Sequence, residues 1–595
     1  MDQKTLLARA QEYISQEENE RFRAEVEQLV QAKDTEELAD RFYTDLEFGT
    51  GGLRGVIGGG FNRMNTLVLR RATEGLARYV DANAGVDSPK AVIGHDSRRY
   101  SKEFALEAAL VFAAHGIKAY LFEDLRPTPQ VSFAVRELGC TVGIMITASH
   151  NPPEYNGYKV YWNDGAQVVE PHDKGIISQV QQVSGAVAAM PKEEALSKGL
   201  LEYLGTDFDG KFFDMVLDNV VSPDLLREHG KDLKIVFTPL HGTGTYPVES
   251  VLQRLQVPVT TVPEQREPDG EFPTVTFPNP EEAAAMDMAL DLAKKTDADI
   301  VMGTDPDADR LGIAVPDDGA WVLLNGNQLG TLLVDYVFHA RKEQGTLPAK
   351  PVFANTVVTT ELQNRIAESY GARTYRTLTG FKHIAGVIRE MEQTQDGGTF
   401  LMGDEESYGF MFGTKVRDKD AISAVVLTAE MALYHRVQGK TVMQRLREIY
   451  REYGWYREIL VSKYFKGQSG LGIMQGLMEK LRNNPPADIG GIKLVKIIDY
   501  RSSETIDPAA GTREQNIDLP SSNVLQFFGG DGTVISARPS GTEPKIKFYV
   551  SAHTEPGVAA SSAEQQLNAV MEKIQDTIHG WIDAAEKTAA EESNG

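Results

Sequence analysis

The sequence predicts a multidomain α/β protein with largely parallel sheets, followed by a separate α+β domain. The first reason is length. The chain has 595 residues, whereas a single hydrophobic core stops growing at roughly 250–300 residues, so two to four domains are expected. The second is a recurring unit made of a short β-rich run, a loop dense in Gly, Pro, Asp or Ser, and an amphipathic helix. Strands that alternate with helices indicate βαβ units. The third is a change of pattern over residues 491–550.

The elements follow in that order along the chain. Residues 1–47 place apolar positions at helical spacing among Glu, Gln and Lys, which predicts helices. The strand-plus-loop units are AVIGHDSRR (91–99), VGIMITASHNP (142–152), KIVFTPLHGTG (234–244), DIVMGTDPDADR (299–310), PVFANTVVTT (351–360) and TFLMGDEESYG (399–409). Ligands bind at the carboxyl ends of the strands in such sheets, where these polar loops fall. The tail holds strand-like runs such as KLVKIIDY and KIKFYVSAHT, and a long helix follows at 562–590.

The composition excludes several classes of protein. A formal net charge of −24 repels nucleic-acid backbones, so a nucleic-acid partner is not expected. No apolar run approaches the ~18 residues that a membrane span needs, and the polar, acidic N-terminus lacks the features of a secretory signal. A single cysteine, Cys140, forms no internal disulfide and fits a reducing cytoplasm. We therefore expect a cytoplasmic protein that does not bind membranes. A monomer or weak homodimer is expected, although the composition does not determine this state.

The loop TASHNPPEYNGYK (147–159) follows an apolar strand directly, so Ser149 projects from a rigid edge. A serine hydroxyl is a weak nucleophile that needs an activating partner. His150 and Lys159 are the candidates nearest in sequence. Because Ser, Asn and Pro are also common turn residues, an ordinary polar turn explains this loop equally well.

The loop GTDPDADRLGIAV (303–315) carries alternating acids. In extended backbone Asp305, Asp307 and Asp309 would share one side and could grip one hard cation. An EF-hand is excluded, since it needs Gly and Glu where Arg310 and Pro316 stand. Three acids between two strands that look buried favour a metal site over a solvated acidic turn. Three carboxylates leave open positions, which Mg²⁺ commonly fills with phosphate oxygens.

Three further loops contain groups suited to a sugar phosphate. RPSGTEPKIKFYV (538–550) contains more hydrogen-bond donors and positive charges that can bind a phosphate than a plain β-turn would explain. These residues are Arg538, Ser540, Gly541, Thr542, Lys545 and Lys547. In GDEESYGFMFGTKVRDKDA (403–421) carboxylates and Ser407 could accept hydrogen bonds from sugar hydroxyls, and Lys415, Arg417 and Lys419 add positive charge nearby. A solvated charged loop fits this segment as well. In FGTGGLRGVIGGG (48–60) glycines permit close backbone approach and Arg54 offers an anion contact, but the loop is neither a P-loop nor a dinucleotide fingerprint.

The loops together, in this order, resemble the α-D-phosphohexomutase family, which includes phosphoglucomutases and phosphomannomutases. Four motifs carry the resemblance: TASHNP, DPDADR, GDEES and RPSGTEP. The matches run from about Phe48 to Val550. The resemblance implies four domains around a central cleft, of which three are related βαβ-type mixed-sheet domains and the fourth is a smaller C-terminal α+β domain. We place these domains at 1–205, 206–324, 325–460 and 461–595.

The resemblance also implies roles for individual residues. A metal, Mg²⁺, would be bound by the three aspartates and the phosphate carried on Ser149. Lys159 matches the family's proton-transfer lysine, and Lys382 in TGFKH matches a lysine of the members that prefer glucose. Glu405 and Ser407 match the residues that hold sugar hydroxyls, and Arg538, Ser540, Gly541 and Thr542 match the loop that grips the non-reacting phosphate. Arg54 and Arg310 would contact the reacting phosphoryl group.

The expected activity is interconversion of glucose 1-phosphate and glucose 6-phosphate through a phosphoserine enzyme and glucose 1,6-bisphosphate. The DEES loop is similar to the GEES-type loops of glucose-preferring members, and the E-x-S-G-H form of mannose-active members is absent. The N-terminal extension and FGTGGLRG resemble a subgroup that includes phosphopentomutases, which typically carry Ala at the position of Ser407. The alternatives are a phosphopentomutase, a phosphomannomutase, or a non-catalytic sugar-phosphate-binding protein, which would have lost the serine or a metal acid.

Overall fold

The computed structural model describes residues 2–49, 51–395, 397–465, 470–540 and 544–594, without the side chains of 592–594. The chain divides into two compact units, one of residues 1–353 and 380–442 and the other of residues 354–379 and 443–595. The predicted third domain, 325–460, is thus divided between them. No described helix combines the length and the apolar character that crossing a membrane requires.

Three helices open the first unit, as the spacing predicts: α1 Gln3–Gln16, α2 Glu20–Ala32 and α3 Thr35–Phe42. An Asp or Asn side chain accepts a backbone N–H in the first turn of each, which satisfies donors that have no partner within the helix. Tyr13, Phe42 and Phe61 pack edge to face. These rings fix the helices against the loop that follows the first strand.

The first sheet carries the TASHNP loop. Its strands are β1 Gly52–Val56, β2 Lys90–His95, β3 Lys118–Phe122, β4 Val142–Ile146, β5 Tyr155–Trp162 and β6 Leu201–Leu204. The order is β1-β5-β4-β2-β3-β6, with β1 and β5 antiparallel to their neighbours and the other pairs parallel. Its helices are α4 Thr66–Asn83, α5 Ser101–Ala114, α6 Thr128–Glu137, α7 His172–Gln181 and α8 Lys192–Ser197. Every residue of β4 is buried, as expected for an apolar central strand.

The second sheet carries the aspartate loop between two of its strands. Its strands are β7 Ile235–Thr238, β8 Val259–Thr261, β9 Ile300–Thr304, β10 Leu311–Asp317 and β11 Ala320–Leu324, in the order β11-β10-β9-β7-β8. The pairs among β7, β8 and β9 are parallel and those of β10 are antiparallel. Its helices are α9 Thr206–Asp218, α10 Pro223–His229, α11 Thr245–Arg254, α12 Pro263–Arg266 and α13 Ala283–Thr296, with a 3₁₀ turn at Gly230–Asp232. The predicted mixed sheets are confirmed.

The third stretch again alternates strands with helices. Its strands are β12 Pro351–Thr356, β13 Arg373–Thr377, β14 Thr399–Glu405 and β15 Gly409–Phe412, and its helices are α14 Gly326–Glu343, α15 Glu361–Ser369, α16 Phe381–Thr394, α17 Ala421–Val437 and α18 Val442–Tyr453. In the first unit β14 pairs antiparallel with β15, so the first three residues of the GDEES motif lie in β14 and residues 406–408 form the tight turn between the two strands.

The second unit contains the predicted α+β tail. Its strands are β16 Tyr456–Tyr464, β17 Asp488–Ile489, β18 Ile492–Asp499, β19 Glu504–Ile506, β20 Arg513–Gln515, β21 Leu525–Gly529, β22 Val534–Pro539 and β23 Lys545–His553. The sheet runs β16-β23-β22-β21-β18-β19-β20, with β17 beside β18. Its helices are α19 Gly470–Asn483 and α20 Ala560–Asn594, and α20 covers one face with buried Leu567, Ile574 and Ile578.

Candidate active site

Ser149 lies three residues beyond the end of β4, in a turn rather than in the strand. Its backbone is left-handed, with φ of 52°, and the residue is only 3% exposed. The Oγ hydroxyl donates to Oδ2 of Asp305 at 2.8 Å and lies 3.1 Å from Nδ1 of His150. Holding a non-glycine residue at positive φ costs about 1–3 kcal/mol. The surrounding contacts therefore determine where this hydroxyl points.

Arg98 supplies most of those contacts. Its Nη1 donates to the carbonyls of Pro152 at 2.8 Å and Tyr155 at 3.1 Å, and its Nη2 donates to the carbonyls of Ser149 at 2.6 Å and Asn151. The side chain is fully buried. A guanidinium has a rigid fork of donors, so one side chain gathers four carbonyls of the serine turn. This role of Arg98 was not predicted from the sequence.

Two groups hold Arg98 in turn. Asp96 lies 3.4 Å from its Nε and accepts its backbone N–H at 2.9 Å. The ring of Phe272, from the loop before α13, lies 4.9 Å from the guanidinium carbon. That ring belongs to the part of the chain that carries the aspartate loop. The serine turn and the aspartate region are therefore in contact through Arg98.

The three aspartates of the metal loop converge on one point. All three are buried, and one carboxylate oxygen from each lies within 4.8 Å of the others. The backbone that brings them together is a turn, with Ala308 at φ of 48° and its N–H on the carbonyl of Asp305 at 2.9 Å. The expectation of extended backbone is wrong in this respect. The loop leaves β9 and enters β10, so strands flank it, as predicted.

The ligand set fits a hard divalent cation. Oδ1 of Asp307 and Oδ1 of Asp309 are buried and accept no hydrogen bond from any residue that the structure describes. Burial and the two neighbouring carboxylates raise the pKa of Asp305 well above its ordinary value. Three buried acids repel one another, and a divalent cation removes that repulsion.

Two largely buried lysines lie beside the Oδ2 oxygens of Asp307 and Asp309. Lys159 Nζ lies 2.7 Å from Oδ2 of Asp307 and 3.1 Å from Oδ2 of Asp309, and Lys419 Nζ lies 2.9 Å from the latter oxygen. Burial lowers the pKa of Lys159, but the two aspartates outweigh it and raise that pKa above its ordinary value. The same balance raises the pKa of Lys419, through Asp309 and Asp418. The sequence analysis grouped Lys419 with Lys415 and Arg417 as general positive charge. In the structure Lys415 is exposed.

The sugar loop reaches the same region. Glu405 ends β14 and accepts the backbone N–H of Gly380, which precedes α16 and Lys382. Burial, with Glu406 beside it, raises the pKa of Glu405 to about 7. The backbone of Arg310 pairs with Gly409 as an isolated bridge, so the metal loop and the sugar loop touch. Ser407 is half-buried in the turn between β14 and β15.

The two predicted phosphoryl-contacting arginines differ in their surroundings. Arg310 is largely buried and pairs with Glu281, a partner that the sequence analysis missed. Burial lowers the pKa of Arg310, but Glu281 and Asp309 outweigh it and raise that pKa. Arg54, on β1, is exposed, and its Nη1 donates to Oδ1 of Asn151 at 3.3 Å. It therefore borders the serine turn from the solvent side.

The predicted phosphate loop belongs to the second unit. Arg538 lies near the end of β22, in register with Lys547 of β23. The backbone N–H of Ser540 donates to the carbonyl of Lys545 at 2.7 Å, which closes the loop. Gly541 and Thr542, also predicted there, lie outside the described residues.

Comparison with known proteins places this arrangement in context. The chain matches four family models described as phosphoglucomutase/phosphomannomutase: α/β/α domain I over residues 45–186, domain II over 211–319, domain III over 325–453 and the C-terminal domain over 496–567. It is similar to the phosphoglucomutase of Staphylococcus haemolyticus, with 38% identity over 86% of this chain and 91% of that one. It is also 36% identical to the phosphoglucomutase of Staphylococcus epidermidis, over 91% of this chain and 95% of that one.

Solved structures share the fold. A putative phosphomannomutase from Thermus thermophilus matches with a TM-score of 0.66 and 22% identity, over 90% of this chain and 99% of that one. Parafusin, a phosphoglucomutase from Paramecium, matches with a TM-score of 0.65 and 18% identity, over 90% of this chain and 95% of that one. At these identities the likeness concerns the fold alone.

Proposed function

Because the chain belongs to the phosphoglucomutase/phosphomannomutase family and is an intramolecular phosphotransferase, we propose that it interconverts glucose 1-phosphate and glucose 6-phosphate. One observation carries the proposal: the buried hydroxyl of Ser149 lies 2.8 Å from Asp305, at the edge of a cluster of three buried carboxylates. A serine in such a place can carry a phosphoryl group that metal and cations neutralise.

The proposed reaction has two transfers. Phosphorylated Ser149 gives its phosphoryl group to the 6-hydroxyl of glucose 1-phosphate: the bond from phosphorus to O6 forms as the bond to Oγ breaks. The Lys159 ammonium would donate a proton to the departing Oγ, and the resulting amine would take up the proton that the hydroxyl loses. The product, glucose 1,6-bisphosphate, reorients within the site so that its 1-phosphoryl group faces Ser149. The 1-phosphoryl group then passes to Oγ of Ser149 as its bond to O1 breaks. The proton of the serine hydroxyl moves to O1 by the same route in reverse, and glucose 6-phosphate leaves. Lys159 is the proposed proton carrier, with His150 beside the serine oxygen. Positioning and charge stabilisation supply most of the acceleration in phosphoryl transfer.

Mg²⁺ is the proposed metal. Asp305, Asp307 and Asp309 would hold it together with the phosphate on Ser149, and the two buried Oδ1 atoms without a described partner support this ligand set. When bound, the ion neutralises negative charge on the transferring group.

The remaining predicted residues would bind the sugar phosphate. Glu405 and Ser407 would accept hydrogen bonds from sugar hydroxyls, with Lys382 nearby on α16. Arg54 and Arg310 would contact the reacting phosphoryl group. The loop of the second unit would grip the other phosphate, through Arg538, Ser540, Gly541, Thr542 and Lys545. The donors that this loop presents support the role.

A cytoplasmic location and a monomeric or weakly dimeric state are part of the same proposal. The lone cysteine, Cys140, is buried, which suits a reducing compartment.

A substrate comparison tests the proposed sugar. Glucose, mannose, ribose and glucosamine 1-phosphates are each supplied with Mg²⁺ and catalytic glucose 1,6-bisphosphate, and kcat/KM is measured for each. We expect glucose 1-phosphate to give the highest value. A preference for ribose 1-phosphate would identify a phosphopentomutase instead, and a preference for mannose 1-phosphate a phosphomannomutase.

A matched pair of variants tests whether Ser149 carries the reaction. Ser149→Ala removes the proposed phosphoryl carrier, and we expect conversion of glucose 1-phosphate to fall by orders of magnitude. Ser197→Ala removes an exposed hydroxyl that donates to the nearby carbonyl of Glu194, and should leave conversion unchanged. If wild-type chain itself shows no turnover of any sugar phosphate but binds them, the non-catalytic alternative holds.

A further inference from the structure

Thr128 opens helix α6 in the first sheet region, yet it contacts the metal loop 179 residues further along the chain. We propose that Thr128 is a positioning residue for the metal ligand Asp307. Its hydroxyl would fix which oxygen of that carboxylate faces the cation. The inference rests on the metal site of the proposed function.

Two hydrogen bonds join Thr128 to Asp307. The hydroxyl donates to Oδ2 at 2.7 Å, and the backbone N–H donates to the main-chain carbonyl at 2.9 Å. Thr128 and Asp307 are both fully buried. A hydroxyl bonded to an ionised acceptor in a dry site makes a strong, short hydrogen bond. The side chain and the main chain of Asp307 are therefore both held by one residue.

The two oxygens of Asp307 have different surroundings. Oδ2 accepts from Thr128 and, at 2.7 Å, from Nζ of Lys159. Oδ1 is buried and accepts from no residue in the described part of the chain. A carboxylate pinned through one oxygen cannot rotate about its last bond without breaking those hydrogen bonds. Oδ1 is consequently the oxygen of Asp307 that would face the cation.

Lys159 alone does not secure this orientation if it also serves as the proton carrier. Its ammonium divides its contacts between Asp307 and Asp309, and the proposed reaction changes its hydrogen bonding during the cycle. The Thr128 hydroxyl has no part in the proposed proton transfers, so its bond to Asp307 would persist when that of Lys159 changes. Groups that orient metal ligands are worth about 10–100-fold in metal affinity.

The test measures metal affinity rather than turnover. Mn²⁺ is titrated into wild-type chain and variants of one phosphorylation state, confirmed by intact mass, and free Mn²⁺ is counted by electron paramagnetic resonance. Thr128→Val keeps the shape and removes the hydroxyl, whereas Thr128→Ser keeps the hydroxyl. Thr73→Val is the matched control, because Thr73 is also buried and its hydroxyl bonds to the carbonyl of Leu69 in its own helix.

We expect Thr128→Val to weaken Mn²⁺ binding by about 10-fold or more, Thr128→Ser to stay within about threefold of wild type, and Thr73→Val to match wild type. Equal affinity of Thr128→Val and wild type overturns the inference, and so does a Thr128→Ser affinity as weak as that of Thr128→Val. If wild type binds no Mn²⁺, the metal site of the proposed function fails first, and that result is distinct from a failure of Thr128 alone. Thermal midpoints of all four proteins show whether a weakened variant is still folded.

Discussion

Gly242 offers a sharp test of how the aspartate turn is held, because a single added methyl group would collide with it. Gly242 lies in the loop between β7 and α11, where Thr243 donates its N–H to the carbonyl of Pro306 at 2.8 Å. A Cβ on Gly242 would lie 2.3 Å from Cα and 2.5 Å from the carbonyl oxygen of Pro306. Both atoms are backbone atoms of the metal turn, so no side-chain rotation relieves the clash.

The size of the effect follows from these distances. Ordinary contacts of a Cβ begin at 3.4 Å, so the turn between Asp305 and Asp307 must move by about 1 Å. Overpacking of this kind costs about 1–3 kcal/mol of stability. A misplacement of about 1 Å near the reacting groups costs on the order of 100-fold in rate. We therefore expect Gly242→Ala to lower kcat/KM by about 100-fold, with weakened Mg²⁺ binding.

The assay is kcat/KM for glucose 1-phosphate together with Mg²⁺ affinity by calorimetry. Gly210→Ala is the control, since Gly210 lies within α9 and a Cβ there meets nothing within 4 Å. That change should leave both quantities unaltered and raise helix stability by about 0.5–1 kcal/mol. A Gly242→Ala variant with wild-type kcat/KM and Mg²⁺ affinity would refute the reasoning, because the metal turn would then tolerate the displacement.

Two further predictions concern buried charges. Arg98→Lys replaces a fork that bonds to four carbonyls with an ammonium that has three hydrogens, so at least one of these carbonyls loses its hydrogen bond from residue 98, at about 0.5–1.5 kcal/mol or more. We expect kcat to fall by about tenfold or more, and unchanged kcat would show that the fork does not hold the turn. Burial raises the pKa of Glu430 from 4.5 to about 7, so between these pH values the folded chain keeps a proton that the unfolded chain releases. The free energy of unfolding therefore falls as pH rises through this interval, by about 3 kcal/mol. Urea unfolding at pH 5 and pH 8 should show a smaller loss in Glu430→Gln than in wild type, and equal losses would contradict the assignment.

The sequence predicts well the local secondary structure and the loops that carry the candidate site residues. The six strand-plus-loop units end strands where expected, because the buried apolar runs and the Gly- and Asp-rich turns are local signals. The structure also brings Ser149 to Asp305 and Lys159 to Asp307, across 156 and 148 residues of chain. The spacing within each loop is a local signal, whereas the meeting of the two loops was expected only from the family resemblance. The exclusion of an EF-hand is supported by β9 and β10 on either side of the aspartate turn.

The residues that the sequence analysis missed act over long distances along the chain. In the sequence, Thr128 resembles an ordinary first residue of a helix. Arg98 is one charged residue among several in a polar loop. Their partners lie 179 and more than 50 residues away, and no local pattern encodes such contacts. The turn at Ala308 was missed for a different reason, since alternating acids fit extended backbone and a tight turn equally well until the flanking strands fix the geometry.

The phosphoserine mechanism is tested most directly by following a labelled phosphoryl group. The chain is incubated with ³²P-labelled glucose 1,6-bisphosphate, digested, and the labelled peptide is sequenced; a second sample is chased with unlabelled glucose 1-phosphate. We predict that the label resides on Ser149, passes into sugar phosphate during the chase, and is absent from Ser149→Ala. Label on another residue, or label on Ser149 that the chase leaves in place, would contradict Ser149 as the phosphoryl carrier.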